Sequence, residues 1–246
     1  MAARAAPLLR AGDVQVGYGP ARGLRLPARG VAPTHPQARL LLTGTLEAAV
    51  QQALRRTVAP GAVMWDVGAN LGFFALLAAR LAGPDGRVVA FEPVPATAEL
   101  AREAASLNGL AGRIVVRAEA LGASSARTPL CVVSEPSWSH LDDRGRHPAT
   151  RHELEVEVAT ADGLVEAGLA PVPDVMKLDV EGSEADVLRG AAGLLERHRP
   201  VVMCELHDTA VEVADLLEGA GYTLESLDRP GPVRDGTVVH LLAHPA

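Results

Sequence analysis

The residues best placed to do chemistry begin at Asp66-Val67-Gly68-Ala69-Asn70-Leu71-Gly72, where a short apolar run gives way to a glycine-bearing loop. Glycines let a chain turn tightly and bring its backbone close to a ligand. A dinucleotide loop carries G-x-G-x-x-G, so that a pyrophosphate can sit on a helix N-terminus. Gly68 and Gly72 do not form that triplet. Asp66, just inside the strand end, would repel a pyrophosphate and attract an ammonium or a sulfonium. Glu92, in Phe91-Glu92-Pro93, lies 20 residues beyond Gly72. At that interval an acidic side chain accepts hydrogen bonds from ribose hydroxyls. Together these features predict a site for a cationic adenosyl ligand. The plainer alternative is a helix-entry turn at Gly68 and a solvated strand end at Glu92.

A second group lies late in the chain. Lys177, the only lysine, alternates with Asp179 and Glu181, and Glu205 is followed by His207. In a regular strand, alternate side chains share one face. Asp179 is then expected at the carboxyl end of its strand, beside the reacting group, with Glu205 and His207 ending the neighbouring strand. Asp179, Glu181, Glu205 and His207 could hold a hard cation such as Mg²⁺, which prefers carboxylate oxygens. They could equally work without metal, with His207 as general base. A structural reading also stays open, in which Lys177 pairs with a carboxylate, Glu181 caps the next helix and only Asp179 touches ligands. The central loop adds Trp138, Ser139 and His140, with His140 a second candidate base; His147 and His152 read as exposed.

The elements that must position these groups alternate. A helix is expected over 46–58, with Thr45 as its cap, followed by a Pro60-Gly61 break. Strands are expected over 62–67, 87–91, 113–117, 174–180 and 201–206, and helices over 71–81, 97–107, 183–196 and 208–219. Two period-two segments, 128–133 and 153–159, flank the polar central loop. Strands over 222–228 and 238–243, joined by a Pro/Gly turn, are expected to be antiparallel. Residues 1–37 show no helical period and read either as short strands (14–18 and 24–27) or as an arm. Repeated apolar strand and helix predict an α/β fold whose parallel sheet is covered on both faces, with ligands bound where strands end. The expected division is an N-terminal arm and helix over 1–60, on the lid and substrate side, and the main domain over 61–246.

Composition excludes several classes. The chain has 246 residues, 48% hydrophobic and 22% charged, with 23 basic and 30 acidic residues and a net charge of −7. Disorder is excluded by that balance. No basic field exists to bind a nucleic-acid backbone, so the expected partner is a small molecule and not nucleic acid. No run of 18 apolar residues suggests a membrane span. Cys131 and Cys204 sit in apolar runs without metal-ligand spacing and read as buried thiols, which points to the cytoplasm.

The words DVGANLG (66–72), FEP (91–93) and KLDVEG (177–182), in this order and spacing, resemble the FkbM-type family of S-adenosylmethionine-dependent methyltransferases. Gly44-Thr45-Leu46-Glu47 resembles its G-x-x-E element, Asn108-Gly109-Leu110 its N-G-L, and Glu205 with His207 its late E-x-H. The likeness runs over about 40–208. It implies a Rossmann-like class I methyltransferase fold, a seven-stranded, mostly parallel sheet with the last strand antiparallel. It implies S-adenosylmethionine as cofactor and O-methylation of a small-molecule or sugar hydroxyl. N-methylation of an amine is the alternative, and an NAD-linked oxidoreductase a weaker one. Carried over residue by residue, the cofactor site comprises Asp66, Gly68, Asn70, Gly72 and Glu92. Glu119 or Ala120 would lie near the adenine, and Glu47 would close over the cofactor. Ser139 and Leu141 would lie near the acceptor.

Overall fold

The computed structural model describes residues 12–31, 36–133, 140–141 and 150–246. The chain opens with a hairpin, β1 (Asp13–Gln15) and β2 (Arg25–Pro27), then α1 (Pro36–Thr43) and α2 (Ala48–Thr57). Alternation follows: β3 (Val63–Val67), α3 (Phe73–Ala82), β4 (Arg87–Phe91), α4 (Pro95–Leu107) and β5 (Ile114–Arg117). A smaller sheet interrupts it, made of β6 (Ala120–Leu121), β7 (Ala126–Val133), β8 (His140–Leu141) and β9 (Thr150–Ala159). The rest is α5 (Ala161–Glu166), β10 (Val175–Leu178), α6 (Glu184–Arg189), α7 (Ala192–Arg197), β11 (Val201–Glu205), α8 (Ala210–Gly219), β12 (Tyr222–Ser226) and β13 (His240–Pro245). No described helix is long and apolar enough to cross a membrane.

The main sheet has seven strands in the order β12-β13-β11-β10-β3-β4-β5, and β13 runs antiparallel to both its neighbours. The chain enters at β3, builds outward to β5, then crosses back to β10 on the other side. Crossover helices in opposite directions leave a crevice at the carboxyl ends of β3 and β10, and such switch points are where open α/β sheets bind ligands. Strand alternation divides the core. Met64, Val88, Val175 and Met203 face α2 and α3, while Trp65, Val89, Met176 and Val202 face α6, α7 and α8. Helix α3 is buried on nearly every side, from Phe73 to Ala79, because it is clamped between the sheet and the N-terminal segment.

The fold departs from the sequence reading at five places. The helix expected over 183–196 is split into α6 and α7. At Gly190 an added Cβ would lie 2.0 Å from the Gly122 carbonyl oxygen, so the chain ends one helix where the β6 turn presses in. Helix α1, for which no element was expected, begins at the end of the 1–37 stretch and opens on Pro36, whose fixed φ suits a first helical position. Helix α5 is capped by Thr160, whose Oγ accepts the Gly163 N–H at 3.1 Å. Thr45 is not the cap of α2, since its hydroxyl meets that of Thr43 and Glu47 takes the cap position. Strand β10 stops at Leu178, because Glu181 and Gly182 turn back with φ of 50° and 101°.

Candidate active site

The glycine loop is shaped by what lies behind it. Gly68 has φ 81°, and a Cβ there would stand 1.7 Å from the Asp179 carbonyl oxygen, so the turns after β3 and β10 touch backbone to backbone. The N–H groups of Gly68 and Ala69 both donate to the Phe91 carbonyl at the end of β4, at 3.0 and 2.9 Å. Glu92 completes the loop. Its Oε2 accepts the Asn70 N–H and its Oε1 the Val94 N–H, each at 2.9 Å. The residue is 7% exposed and lies in the cleft wall. Burial pushes its pKa up to about 7, against the pull of the two N–H groups. Each carboxylate oxygen keeps lone pairs for a further donor.

A row of charge crosses the sheet next to this loop. Asp66 and Lys177 are register partners on β3 and β10, both buried. The Lys177 ammonium donates to Asp179 Oδ2 at 3.0 Å and sits 4.6 Å above the centre of the Phe74 ring. Burial lowers the Lys177 pKa, but Asp179, Glu47, Asp66 and Glu205 outweigh it and hold the lysine charged. Burial raises Asp66 to about 6 and Glu47 to about 7, and Lys177 opposes both shifts. Glu205 is pulled below the usual carboxylate range, because the attraction of His207 and His240, at 3.5 and 3.6 Å, exceeds the cost of its burial.

His207 lies behind the carboxylates. Its Nδ1 is 2.9 Å from Glu184 Oε1, and its Nε2 is 3.5 Å from both Glu181 Oε2 and Glu205 Oε1. Thr209 Oγ1 donates to Glu184 at 2.7 Å and holds that carboxylate in place. Burial would lower the imidazole, but Glu184 and Glu205 raise it to about 11. At neutral pH the ring is therefore a cation, which argues against the expected general-base role for His207. Glu181 is raised to about 7 by burial, which His207 partly offsets. Asp179, Glu205 and His207 offer ligand atoms within 4.8 Å of one another, and so do Glu47, Glu205 and His240.

These groups surround a cleft of about 360 Å³, within the size range of small-ligand sites. Its wall includes Glu47, Gly68, Asn70, Glu92, Ala120, Asp179, Glu181 and Glu205 from the sequence-derived set. Asp66, Gly72, Glu119 and His207 stand outside it. Asp66 lies under the floor, Gly72 packs on Ala101 at the start of α3, and Glu119 pairs with Arg117. His140 belongs to β8, where its backbone pairs with Cys131. Its side chain, together with Trp138, Ser139 and His147, lies outside the described residues, as do the side chains of Leu141 and His152. The N-terminal segment supplies an apolar side of the cleft through Val31, Ala38, Leu41 and Leu46. Sequence reasoning put residues 1–60 on the lid and substrate side but gave none of these four residues a place in the site. It also missed Ser183, whose buried hydroxyl lines the cleft instead of capping α6, and His240, which is cross-strand to Glu205. The one available signal for His240 was its place in the strand expected over 238–243; its pairing with the strand of Glu205 appears only in the structure. Both cysteines are buried, and neither forms a disulfide.

The family model for the methyltransferase FkbM domain matches residues 66–224. The 31-O-demethyl-FK506 methyltransferase FkbM of Streptomyces tacrolimicus is 31% identical over 213 residues, covering 75% of this chain and 80% of that protein. The hexuronic acid methyltransferase AglP of Haloferax volcanii is 33% identical over 146 residues, 59% of this chain, and the match spans 56% of that relative's length. Among solved structures, a methyltransferase FkbM from Methylobacillus flagellatus aligns with a TM-score of 0.51 at 17% identity, covering 88% of this chain and 56% of that one. That likeness speaks for the Rossmann-like methyltransferase fold. The family match begins at Asp66 and takes in the glycine loop, Glu92 and the charged row up to Glu205, and on it the chain belongs to the FkbM methyltransferase family and is a methyltransferase.

Proposed function

We propose that the cleft binds S-adenosylmethionine and directs methyl transfer to a hydroxyl group of a small molecule or sugar. The observation that carries the reading is Glu92, a buried carboxylate in the cleft wall, fixed by two backbone N–H groups and left with lone pairs for a ribose diol. The donor set fits a cationic nucleoside. Five carboxylates, Glu47, Glu92, Asp179, Glu181 and Glu205, line the cleft against Lys177 and Arg29, and Arg29 is already paired with Glu103. A pyrophosphate would meet repulsion on such a surface, whereas a sulfonium and an ammonium would meet attraction. Two relatives are named for a hexuronic acid and for a demethylated FK506, which agrees with a small-molecule acceptor.

When bound, S-adenosylmethionine supplies a methyl group already activated on sulfur. The chain's own residues then have three tasks. Glu92, Gly68, Asn70 and Ala120 hold the nucleoside. Val31, Leu41 and Leu46, on the lid side of the cleft, exclude water. Alignment of this kind can supply roughly 7–11 kcal/mol of a barrier. Asp179 takes the acceptor proton. One of its oxygens is fixed by Lys177, and the other carries no hydrogen bond among the described residues. An alcohol becomes strongly acidic as its oxygen forms the new bond, so a carboxylate suffices as acceptor.

A second reading, in which a divalent cation assists, is favoured by the grouping of Asp179, Glu205 and His207. Lys177 and the His207 imidazolium already supply positive charge to the same carboxylates, and the metal-free reading needs no more. Calorimetry with S-adenosylhomocysteine and with NADH tests the cofactor. Binding of the first alone supports the proposal, and binding of NADH alone overturns it. Turnover that survives chelation with EDTA supports the metal-free form, and turnover abolished by EDTA and restored by Mg²⁺ the assisted one.

A further inference from the structure

One half-buried group next to the cleft has no part in that scheme. His240 opens β13 directly across from Glu205 at the end of β11. Its Nδ1 lies 2.8 Å from Asp228 Oδ1, while Asp228 Oδ2 accepts the backbone N–H groups of Val239 and His240 at 2.8 and 2.7 Å. The carboxylate thus fixes both the ring and the backbone that carries it. The other ring nitrogen, Nε2, is closed off from water and lies 3.6 Å from Glu47 Oε2 and 3.6 Å from Glu205 Oε2. Both glutamates line the cleft.

Among the described residues, His240 is the ion-pair partner of the Glu47 carboxylate, and Lys177 acts on it from farther away. The Glu47 backbone is left-handed, with φ 41°, a conformation an ordinary side chain keeps only when its surroundings hold it. The turn that carries it is secured by Gln51, whose Nε2 donates to the carbonyls of Gly44 and Leu46 at 3.1 and 2.6 Å. Those bonds hold the backbone. The Glu47 carboxylate oxygen Oε2 is buried and accepts no hydrogen bond, and the nearest cationic partner facing it is His240. Without a donor between them, Glu47 and Glu205 would be two half-buried carboxylates facing each other, with Lys177 as the more distant cation, and their mutual repulsion would push them apart.

We infer that Asp228 and His240 are positioning residues of the methyltransferase site: the imidazole, held by Asp228, pins Glu47 of the N-terminal segment to Glu205 of the sheet and so keeps the lid-side wall of the cleft in place. Its consequence for ligand affinity rests on the cofactor reading proposed above; the pin itself does not.

The test is amide hydrogen exchange over residues 44–51 in the protein without ligand, paired with calorimetry using S-adenosylhomocysteine. The variants are His240→Ala, His240→Gln and Asp228→Asn. A glutamine amide nitrogen reaches the position of Nε2 and can donate to the carboxylates; alanine cannot. Exchange at 44–51 is expected to speed up by about tenfold or more in His240→Ala and to stay within about threefold of the parent in His240→Gln, with β3 and β10 unchanged in both. Affinity for S-adenosylhomocysteine is expected to fall about tenfold in His240→Ala and to recover in His240→Gln. Unchanged exchange at 44–51 in His240→Ala overturns the inference, as does equal loosening in the alanine and glutamine variants. Loosening of the parent's segment by EDTA also overturns it, because a bound cation and not the imidazole would then join the carboxylates. If His240→Ala does not fold, Asp228→Asn is read in its place, and unchanged exchange there is equally fatal. A parent that fails to bind S-adenosylhomocysteine removes the proposed cofactor, while the exchange result still decides the pin.

Discussion

Replacing Glu92 by glutamine changes one atom's chemistry and almost no volume. The carboxylate accepts the N–H of Asn70 and of Val94, each at 2.9 Å, and both contacts need an acceptor. Glutamine offers an acceptor on one side only, so one N–H meets an NH₂ group, or the side chain swings away and both contacts are lost. Hydrogen bonds to a charged group contribute about 1.5–3 kcal/mol each. Loss of one such bond to the ribose therefore predicts roughly 10- to 150-fold weaker binding of S-adenosylhomocysteine. Isothermal titration calorimetry at pH 8 measures this, above the Glu92 pKa of about 7. The pH dependence gives a second check. A ligand that prefers the ionised carboxylate binds better as pH rises through 7, and the glutamine variant should lose that component. A dissociation constant within twofold of the parent at pH 8 would refute the ribose assignment.

Gly68→Ala places a Cβ 1.7 Å from a backbone oxygen at φ 81°, so a destabilisation of about 3 kcal/mol or more is expected, a fall in Tm of roughly 6–12 °C; an unchanged melting curve would show that the two turns are not in contact. Asp179→Asn should lower turnover by roughly 100-fold or more while S-adenosylhomocysteine binding stays within about threefold. Product release in an acceptor screen measures it, and a parental rate would remove Asp179 from the chemistry. His240 has its pKa raised to about 9, because the nearby Glu205 carboxylate and the hydrogen bond to Asp228 exceed the opposing effect of burial. The native state then keeps a proton that the unfolded chain releases near 6.5, so this stability is full below pH 6.5 and drains away as pH rises through 9, by at most about 3 kcal/mol. Thermal melts from pH 6 to 10 should show the loss in the parent and a flatter profile in His240→Gln; parallel profiles would contradict the assignment.

Much of the main sheet was legible because its information is local. The apolar runs at 62–67 and 87–91 and the amphipathic stretch at 97–107 each declare their period within a few residues, and their order implies a parallel sheet. Glu92 and Gly68 were legible for the same reason, since a strand end and the loop after it are neighbours in sequence. What stayed hidden depends on distant contacts. The break at Gly190 is dictated by a carbonyl at Gly122, and the wall formed by Val31 and Leu41 becomes a wall only when the segment folds back over α3. His240 and Asp228 are separated by a Pro/Gly turn, and neither carries meaning until β13 slots between β11 and β12. The acidity of the His207 ring depends on Glu184, which reads in sequence as an ordinary helix residue.

The N-terminal segment shares its apolar interior with α3 and one face of the sheet: Val14, Leu26, Val50 and Leu54 pack in the same cluster as Met64 and Leu77. Residues of this segment therefore line the cleft and hold up the protein at once. Exchanging this stretch between family members to broaden acceptor scope would disturb a large share of the interior. Library design would do better to vary the inward positions Val31, Ala38 and Leu41 and leave the hairpin intact. Evolution faces the same coupling, so new acceptor preferences in this architecture should arise by point changes along the cleft more readily than by wholesale replacement of the arm.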